Sequence, residues 1–214
     1  MEEYSLKESG TEASGRRFEL STGLILTVFA AILAITDLGG SKFGDDEIIG
    51  TNEKANVYSW YQSKSVKQSL IEGQRDLIQT LMDSGSINRD QISSLESLMT
   101  KLNVDIARYK KEKTELMLGS AAVGRENWAQ DIDGEMGKVI GAKEWEKNLD
   151  ILGRAGDKFD IAVLFLQLSL VLGAMSLVVQ QVRMKWAFCG IMVMLGIVGS
   201  IYSVQAFLIV MQKG

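Results

Sequence analysis

Charge is segregated along this chain, and no other feature constrains its folding as strongly. Residues 20–36, 161–180 and 186–212 contain no Asp, Glu, Lys or Arg, whereas residues 41–160 hold 17 of the 23 Lys and Arg and 21 of the 27 Asp and Glu. A helix rising about 1.5 Å per residue needs about 20 apolar residues to span a hydrocarbon layer of about 30 Å. Each run reaches or approaches that length. A surface helix of a soluble protein keeps a polar face, and a soluble chain of this size is not expected to leave such runs free of charge on every face. The pattern predicts an all-α integral membrane protein, with three transmembrane helices and a helical-hairpin, coiled-coil-like domain inserted between the first and second.

The expected boundaries follow from where charge stops and starts: a polar tail over residues 1–19, crossings over 20–38, 161–182 and 186–211, and an extramembrane helical domain over 41–160. Arg16 and Arg17 precede the first crossing, and Asp37, Gly39 and Gly40 are expected to end it. Residues 45–50, bounded by Gly44 and Gly50, read as a linker. A signal peptide is the rival for the first run. Ala31 and Ala34 make a poor cleavage match and the run is long, which favours an uncleaved anchor. The third run must tilt or protrude; Trp186 and Tyr202 suit membrane interfaces, although Tyr202 lies deep for that role.

Short basic flanks set orientation. Lys7, Arg16 and Arg17 at the start, and Arg183 and Lys185 in the second-to-third turn, fall on one side if there are three crossings. That side is expected to be cytoplasmic, with residues 41–160 and the tail 212–214 outside.

The composition excludes several classes of chemistry. Net charge is −4, and the densest basic cluster, Lys110, Lys111 and Lys113, is diluted by Asp105, Glu112 and Glu115, so no nucleic acid partner is expected. The chain has no His, and its one Cys, Cys189, lies in the third apolar run. Neither a nucleophile–His pair nor a zinc site of ordinary ligands can be assembled from that inventory. Asp131, Asp133 and Glu135 are an acidic cluster without the rest of a calcium loop. No cofactor, metal or enzymatic activity is expected.

Within the polar segment, two stripes repeat at alternating steps of three and four. Val57, Trp60, Lys64, Lys67, Ile71, Gln74, Ile78 and Leu81 form an imperfect one. Ile92, Leu95, Met99, Leu102, Ile106, Tyr109, Lys113 and Leu116 form a better one, broken only by Lys113. Between them, residues 83–88 read as a turn, with Gly85 as a C-terminal cap and Asn88 or Asp90 capping the next helix. The stripes should pack as an antiparallel hairpin, their lysines reaching water or carboxylates such as Glu96 and Glu112. After Gly119 the spacing of Trp128, Ile132, Met136, Val139 and Leu149 predicts a further helix or two, bent at the glycines.

The stretch from Tyr58 to Lys67, with Trp60 and Tyr61 ahead of Gln62-x-Lys64-Ser65-x-Lys67, follows an apolar run and an Asn-rich linker. With Tyr109-Lys110-x-Glu112, the long polar insert and the paired C-terminal apolar runs, it resembles the bacterial DUF4337 family of membrane proteins. The chain differs from that pattern in carrying Trp60 for Tyr or Phe and Ser63 for Ala. The resemblance implies architecture and bacterial origin, hence the inner (cytoplasmic) membrane, and no chemistry, since the family's function is unknown.

Two groups of residues are candidate sites. Trp60, Tyr61, Gln62, Lys64 and Lys67 are candidate contacts for a partner, lipid headgroups or another subunit. The plainer alternative is that the aromatics anchor the hairpin while the lysines solvate it. Gln167, Ser169, Gly173, Gly196, Ser200 and Gln205 are candidates for transmembrane packing or a polar path between assembled copies, because polar groups in lipid are costly. The expected function is an oligomeric membrane scaffold or interaction protein, its partners the lipid bilayer and either a homo-oligomer or an unidentified membrane protein. The alternative is a small channel or transport-associated subunit.

Overall fold

The computed structural model describes the backbone of residues 2–85 and 89–211, with side chains from residue 15 onward except residue 89. The helices are α1 (Glu2–Asp83), α2 (Arg89–Leu118), α3 (Ser120–Val123), α4 (Ala142–Val178) and α5 (Val182–Met211). A 3-10 turn, Arg125–Asn127, and two short strands, β1 (Asp131–Ile132) and β2 (Glu135–Met136), lie between α3 and α4. Three helices, α1, α4 and α5, are long and apolar enough to cross a membrane. The chain packs as two compact units, Met1–Glu47 with Asp150–Gly214, and Ile48–Leu149.

α1 is continuous, so the linker expected over residues 45–50 and the break expected at Asp37, Gly39 and Gly40 are absent. Glycine costs a helix up to about 1 kcal/mol relative to Ala, and here close packing offsets that loss. Gly39 lies against Phe207 and Phe159, Gly40 against Phe159, and Gly50 against Trp145 and Leu149. With no Pro in the chain, no ring clash interrupts the backbone ladder.

In the first unit α1 and α5 run parallel. Thr22 Oγ1 meets Cys189 Sγ at 3.9 Å and Thr36 Oγ1 meets Ser203 Oγ at 2.7 Å, both at a sequence separation of 167. Phe29 packs on Gly196 at the same separation, where an added Cβ would strike its ring. A constant offset at seven-residue intervals keeps the same faces together. Small residues make the approach possible: α5 buries Gly196, Gly199, Ser203 and Ala206, with Met192 the one large side chain among its buried positions. α4 runs antiparallel to α5, with Ala155, Phe159, Ala162, Leu166, Ser169 and Ser176 buried. Phe43, Phe159 and Phe207 close one end, with ring centroids 5.8 Å (Phe43–Phe159) and 5.0 Å (Phe159–Phe207) apart. Tyr202 is not too deep to meet charge, because Lys158 Nζ lies 4.8 Å from its ring centroid.

In the second unit α1 ends at the Gly85 turn, where φ is +67°, and α2 packs back along it. Asn88, the first capping candidate, lies outside the described residues, and Asp90 sits in the first turn of α2. All eight expected seam positions of α2 are buried or half-buried. The α1 seam is displaced from the expected one. Tyr61, Gln68, Arg75 and Met82 face inward with Val57, Lys64, Ile71 and Ile78, while Trp60, Lys67, Gln74 and Leu81 are exposed. Polar residues occupy the true seam because α2 supplies partners. Lys64 Nζ is 2.6 Å from Glu112 Oε2, and Lys113 Nζ is 3.3 Å from Ser65 Oγ and 5.1 Å from the Tyr61 ring centroid.

The further helix expected after Gly119 is present only as the one-turn α3 and as the start of α4, which carries Leu149 into the second apolar run; Trp128, Ile132, Met136 and Val139 between them are not helical. Gly119, at φ +92°, turns the chain out of α2 with a backbone geometry that L side chains rarely adopt. Asp133 and Gly134, at φ 53° and 85°, form the two-residue turn that Asp-Gly favours. Asp131 Oδ1 accepts the Gly134 N–H at 2.7 Å, and β1 pairs antiparallel with β2 through Asp131 with Met136 and Ile132 with Glu135. Trp128, Ile132, Met136 and Val139 thus belong to a folded loop. Helix resumes at Ala142, where Glu144 Oε2 accepts the Gly141 N–H at 3.0 Å, half of a capping box.

Candidate functional site

The folded loop is held by one carboxylate. Glu115, in the last turn of α2, is fully buried. It accepts the Ser120 hydroxyl at 2.7 Å, the Ala129 N–H at 2.7 Å and the Gln130 N–H at 2.8 Å. Ser120 Oγ in turn accepts the Val139 N–H at 2.9 Å, and Trp128 Nε1 donates to the Ser120 carbonyl at 2.9 Å. Three donors on one carboxylate occupy most of its lone-pair sites. The loop is thereby pinned against α1, α2 and the start of α4.

That pinning forms an apolar cleft of about 360 Å³. Val57 and Trp60 of α1, Leu116 of α2, Ile132, Val139 and Ile140 of the loop and Trp145 of α4 line it, with Glu53, Asn56 and Lys138 supplying polar atoms. Trp60 is 49 % exposed and Ile140 46 %, so the cleft opens to solvent through large apolar groups. Lys138 is ion-paired with Glu135. Close by in sequence, Tyr58 Oη donates to Glu146 Oε1 at 2.9 Å. That hydrogen bond, then desolvation and the Glu146 charge, hold the Tyr58 phenol above its usual pKa.

The five candidate contacts do not share one surface. Trp60 lines the apolar cleft. Tyr61 is half-buried and lines a second, more open cleft of about 560 Å³ with Gln68, Lys110 and Lys113. Lys64 is held in a charge network: its partner Glu112 is also 3.6 Å from Arg108 Nε, and Arg108 reaches Asp105 at 3.0 Å. Gln62 and Lys67 are exposed. On a helix Gln62 points about 160° from Trp60, so these two cannot touch the same ligand edge. Of the transmembrane candidates, Ser169, Gly173 and Gly196 are buried and Ser200 is half-buried, while Gln167 and Gln205 face outward. Ser169 Oγ donates to the Met192 carbonyl at 2.8 Å and Ser200 Oγ to the Gly196 carbonyl at 2.7 Å.

Sequence reasoning did not single out Glu115, Ser120, Trp145 or the Tyr58–Glu146 pair. The one available signal was Glu115 beside seam residue Leu116 and five residues ahead of Ser120 across Gly119. Chemically the cleft offers two indoles and aliphatic side chains, a surface for burying apolar groups.

No curated protein and no solved structure matches the chain. A family model described as a domain of unknown function (DUF4337) matches residues 19–209. The chain therefore belongs to the DUF4337 family.

Proposed function

We propose that this protein is an oligomeric interaction protein of the bacterial inner membrane, anchored by α1, α4 and α5 and presenting the Ile48–Leu149 unit at the membrane surface to a membrane-protein partner. The observation that carries the reading is the solvent-open apolar cleft under half-exposed Trp60 on a unit otherwise rich in charge. Interface anchors are enriched in Trp, and isolated domains leave few such indoles uncovered. A photo-crosslinking residue in place of Trp60, compared with one at Gln62 on the far side of α1, tests it in intact cells. Adducts at 60 and not at 62 support the reading; equal yields at both, or none, refute it.

Self-association is supported by Gln167. It is exposed beside Leu164, Leu168, Val171 and Met175, all of them exposed, and finds no partner among the described residues. A primary amide both donates and accepts, so two copies can satisfy each other in lipid, where such a bond contributes about 1 kcal/mol. The same outward amide is what favours the alternative, a polar path between assembled copies. Proteoliposome flux separates them: solute leakage abolished by Gln167→Leu favours the channel, and no leakage favours the scaffold.

A further inference from the structure

The end of the α1–α5 pair marked by Arg17 and Trp186 carries a third cleft, of about 330 Å³, unlike the first two in composition. Arg17, Phe18, Ser21, Thr22 and Ile25 of α1 and Trp186 and Cys189 of α5 line it. Phe18 and Trp186 meet edge to face, with centroids 5.0 Å apart, and Trp186 remains 63 % exposed. The charge here is one-sided. Residues 15–25 and 182–189 contain Arg16, Arg17, Arg183 and Lys185 against a single carboxylate, Glu19. Lys185 takes that carboxylate at 3.7 Å and lies 5.8 Å from the Phe18 centroid. Arg16, Arg17 and Arg183 have no acidic partner among the described residues.

We propose that this cleft binds the headgroup of an anionic phospholipid, the phosphate held by Arg17 and the glycerol and first acyl carbons resting on Phe18, Trp186 and Ile25. Arg183, one helical turn ahead of Trp186 and on the same face of α5, supplies a second guanidinium. Guanidinium groups suit phosphate because their fork of N–H donors matches two oxygens at once. Indoles favour the headgroup level, and basic pockets between membrane helices are where anionic headgroups collect.

The amphipathic make-up of the cleft decides among anions. Its cationic side, at Arg17, borders the uncharged run of α1, and its other side, Ile25 and the Thr22–Cys189 pair beneath Phe18 and Trp186, lies within or beside two runs without charge. A water-soluble phosphate would leave that other side uncovered, whereas a phospholipid covers both. The inference rests on the reading that α1 and α5 cross a bilayer.

The test uses the full chain in phosphatidylcholine vesicles containing a minor fraction of brominated phosphatidylglycerol or, in parallel, brominated phosphatidylcholine. The difference in quenching between the chain and Trp186→Phe isolates Trp186. Each arginine should enrich the anionic headgroup about fivefold, so brominated phosphatidylglycerol should quench Trp186 about 5- to 25-fold more effectively. Arg17→Gln with Arg183→Gln should bring the two lipids to parity, and Arg17→Lys with Arg183→Lys should keep most of the preference, which separates lost charge from lost fold. Equal quenching of the native chain by both lipids overturns the proposal, as does a preference that survives the double Gln variant. Displacement by aqueous glycerol phosphate assigns the site to free phosphate and overturns the lipid assignment. If neither lipid quenches Trp186, the bilayer-crossing reading itself fails, an outcome distinct from loss of headgroup preference.

Discussion

Glu115 is the point at which the cleft can be dismantled with one substitution. Replacing it with Ala strips the acceptor from the Ser120 hydroxyl and the Ala129 and Gln130 N–H groups, now held at 2.7, 2.7 and 2.8 Å. Each stranded buried donor costs about 1–3 kcal/mol, so E115A should weaken the loop by about 3–6 kcal/mol once some relaxation toward water is allowed. E115Q keeps the shape and one carbonyl oxygen but loses the charge-assisted component and turns an NH₂ toward donors, costing about 1.5–3 kcal/mol. Because 1.4 kcal/mol is tenfold, E115Q should lower amide protection at Ala129 and Gln130 about 10- to 100-fold. E115A should remove it down to the limit set by local opening. Hydrogen-exchange mass spectrometry of the detergent-solubilised chain reads this directly, with peptides from residues 92–112 as internal reference. Trp128 emission reports the same event, since its Nε1 is bonded to the Ser120 carbonyl. The reasoning fails if E115A leaves protection at Ala129 and Gln130 within about threefold of native, or if α2 loses protection equally, for then the carboxylate does not act on the loop.

Three further outcomes follow from the packing. Gly196→Ala places a Cβ in the Phe29 ring and should cost about 1–3 kcal/mol, whereas Gly190→Ala meets nothing within 4 Å and should be neutral or slightly stabilising; comparable thermal inactivation of the two in detergent would contradict the α1–α5 seam. Lys64→Met leaves Glu112, with a side chain 8 % exposed, short of its nearest cation and should destabilise the hairpin by about 1–3 kcal/mol, discounted for partial exposure. Adding Glu112→Leu should restore most of that in urea unfolding, and failure to restore would show that the pair is not a coupled unit. Tyr58 donates to Glu146, so its protonated form is favoured in the fold. The contact contributes below pH 10.0, the ordinary phenol value, and is lost as pH rises through the raised one. Phenolate absorbance should show one tyrosine titrating earlier in Glu146→Gln than in the native chain, and superimposable curves would remove the hydrogen bond as the cause.

The legible parts of this protein were those with redundant signals. Three uncharged runs need no partner to be recognised, because every position in them says the same thing. The α2 seam was equally clear, since seven of its eight members are apolar or aromatic and only Lys113 dissents. The α1 seam lies one position from the expected one at four of its eight places. Two adjacent stripes there obey the same three-four spacing, and the one with more apolar bulk, carrying Trp60 and Leu81, is the exposed one. The cleft was only partly visible. Trp60 was singled out, but Trp145, Leu116 and Val139 reach it from segments distant along the chain.

Local chemistry alone settled where apolar surface must leave water, and hence how many helices can cross a membrane; it also settled which face of α2 is sticky, because hydrophobic burial follows from each side chain's own transfer free energy. Whatever depended on a neighbour's identity was decided by tertiary contacts. Gly39, Gly40 and Gly50 stay helical because aromatic and aliphatic side chains fill the space their missing Cβ atoms leave. Lys64 faces inward because Glu112 waits on α2. Glu115 can be buried because three donors from residues 120–130 converge on it. A polar or glycine residue has no fixed preference for inside or outside, and only the partner brought to it by the fold decides.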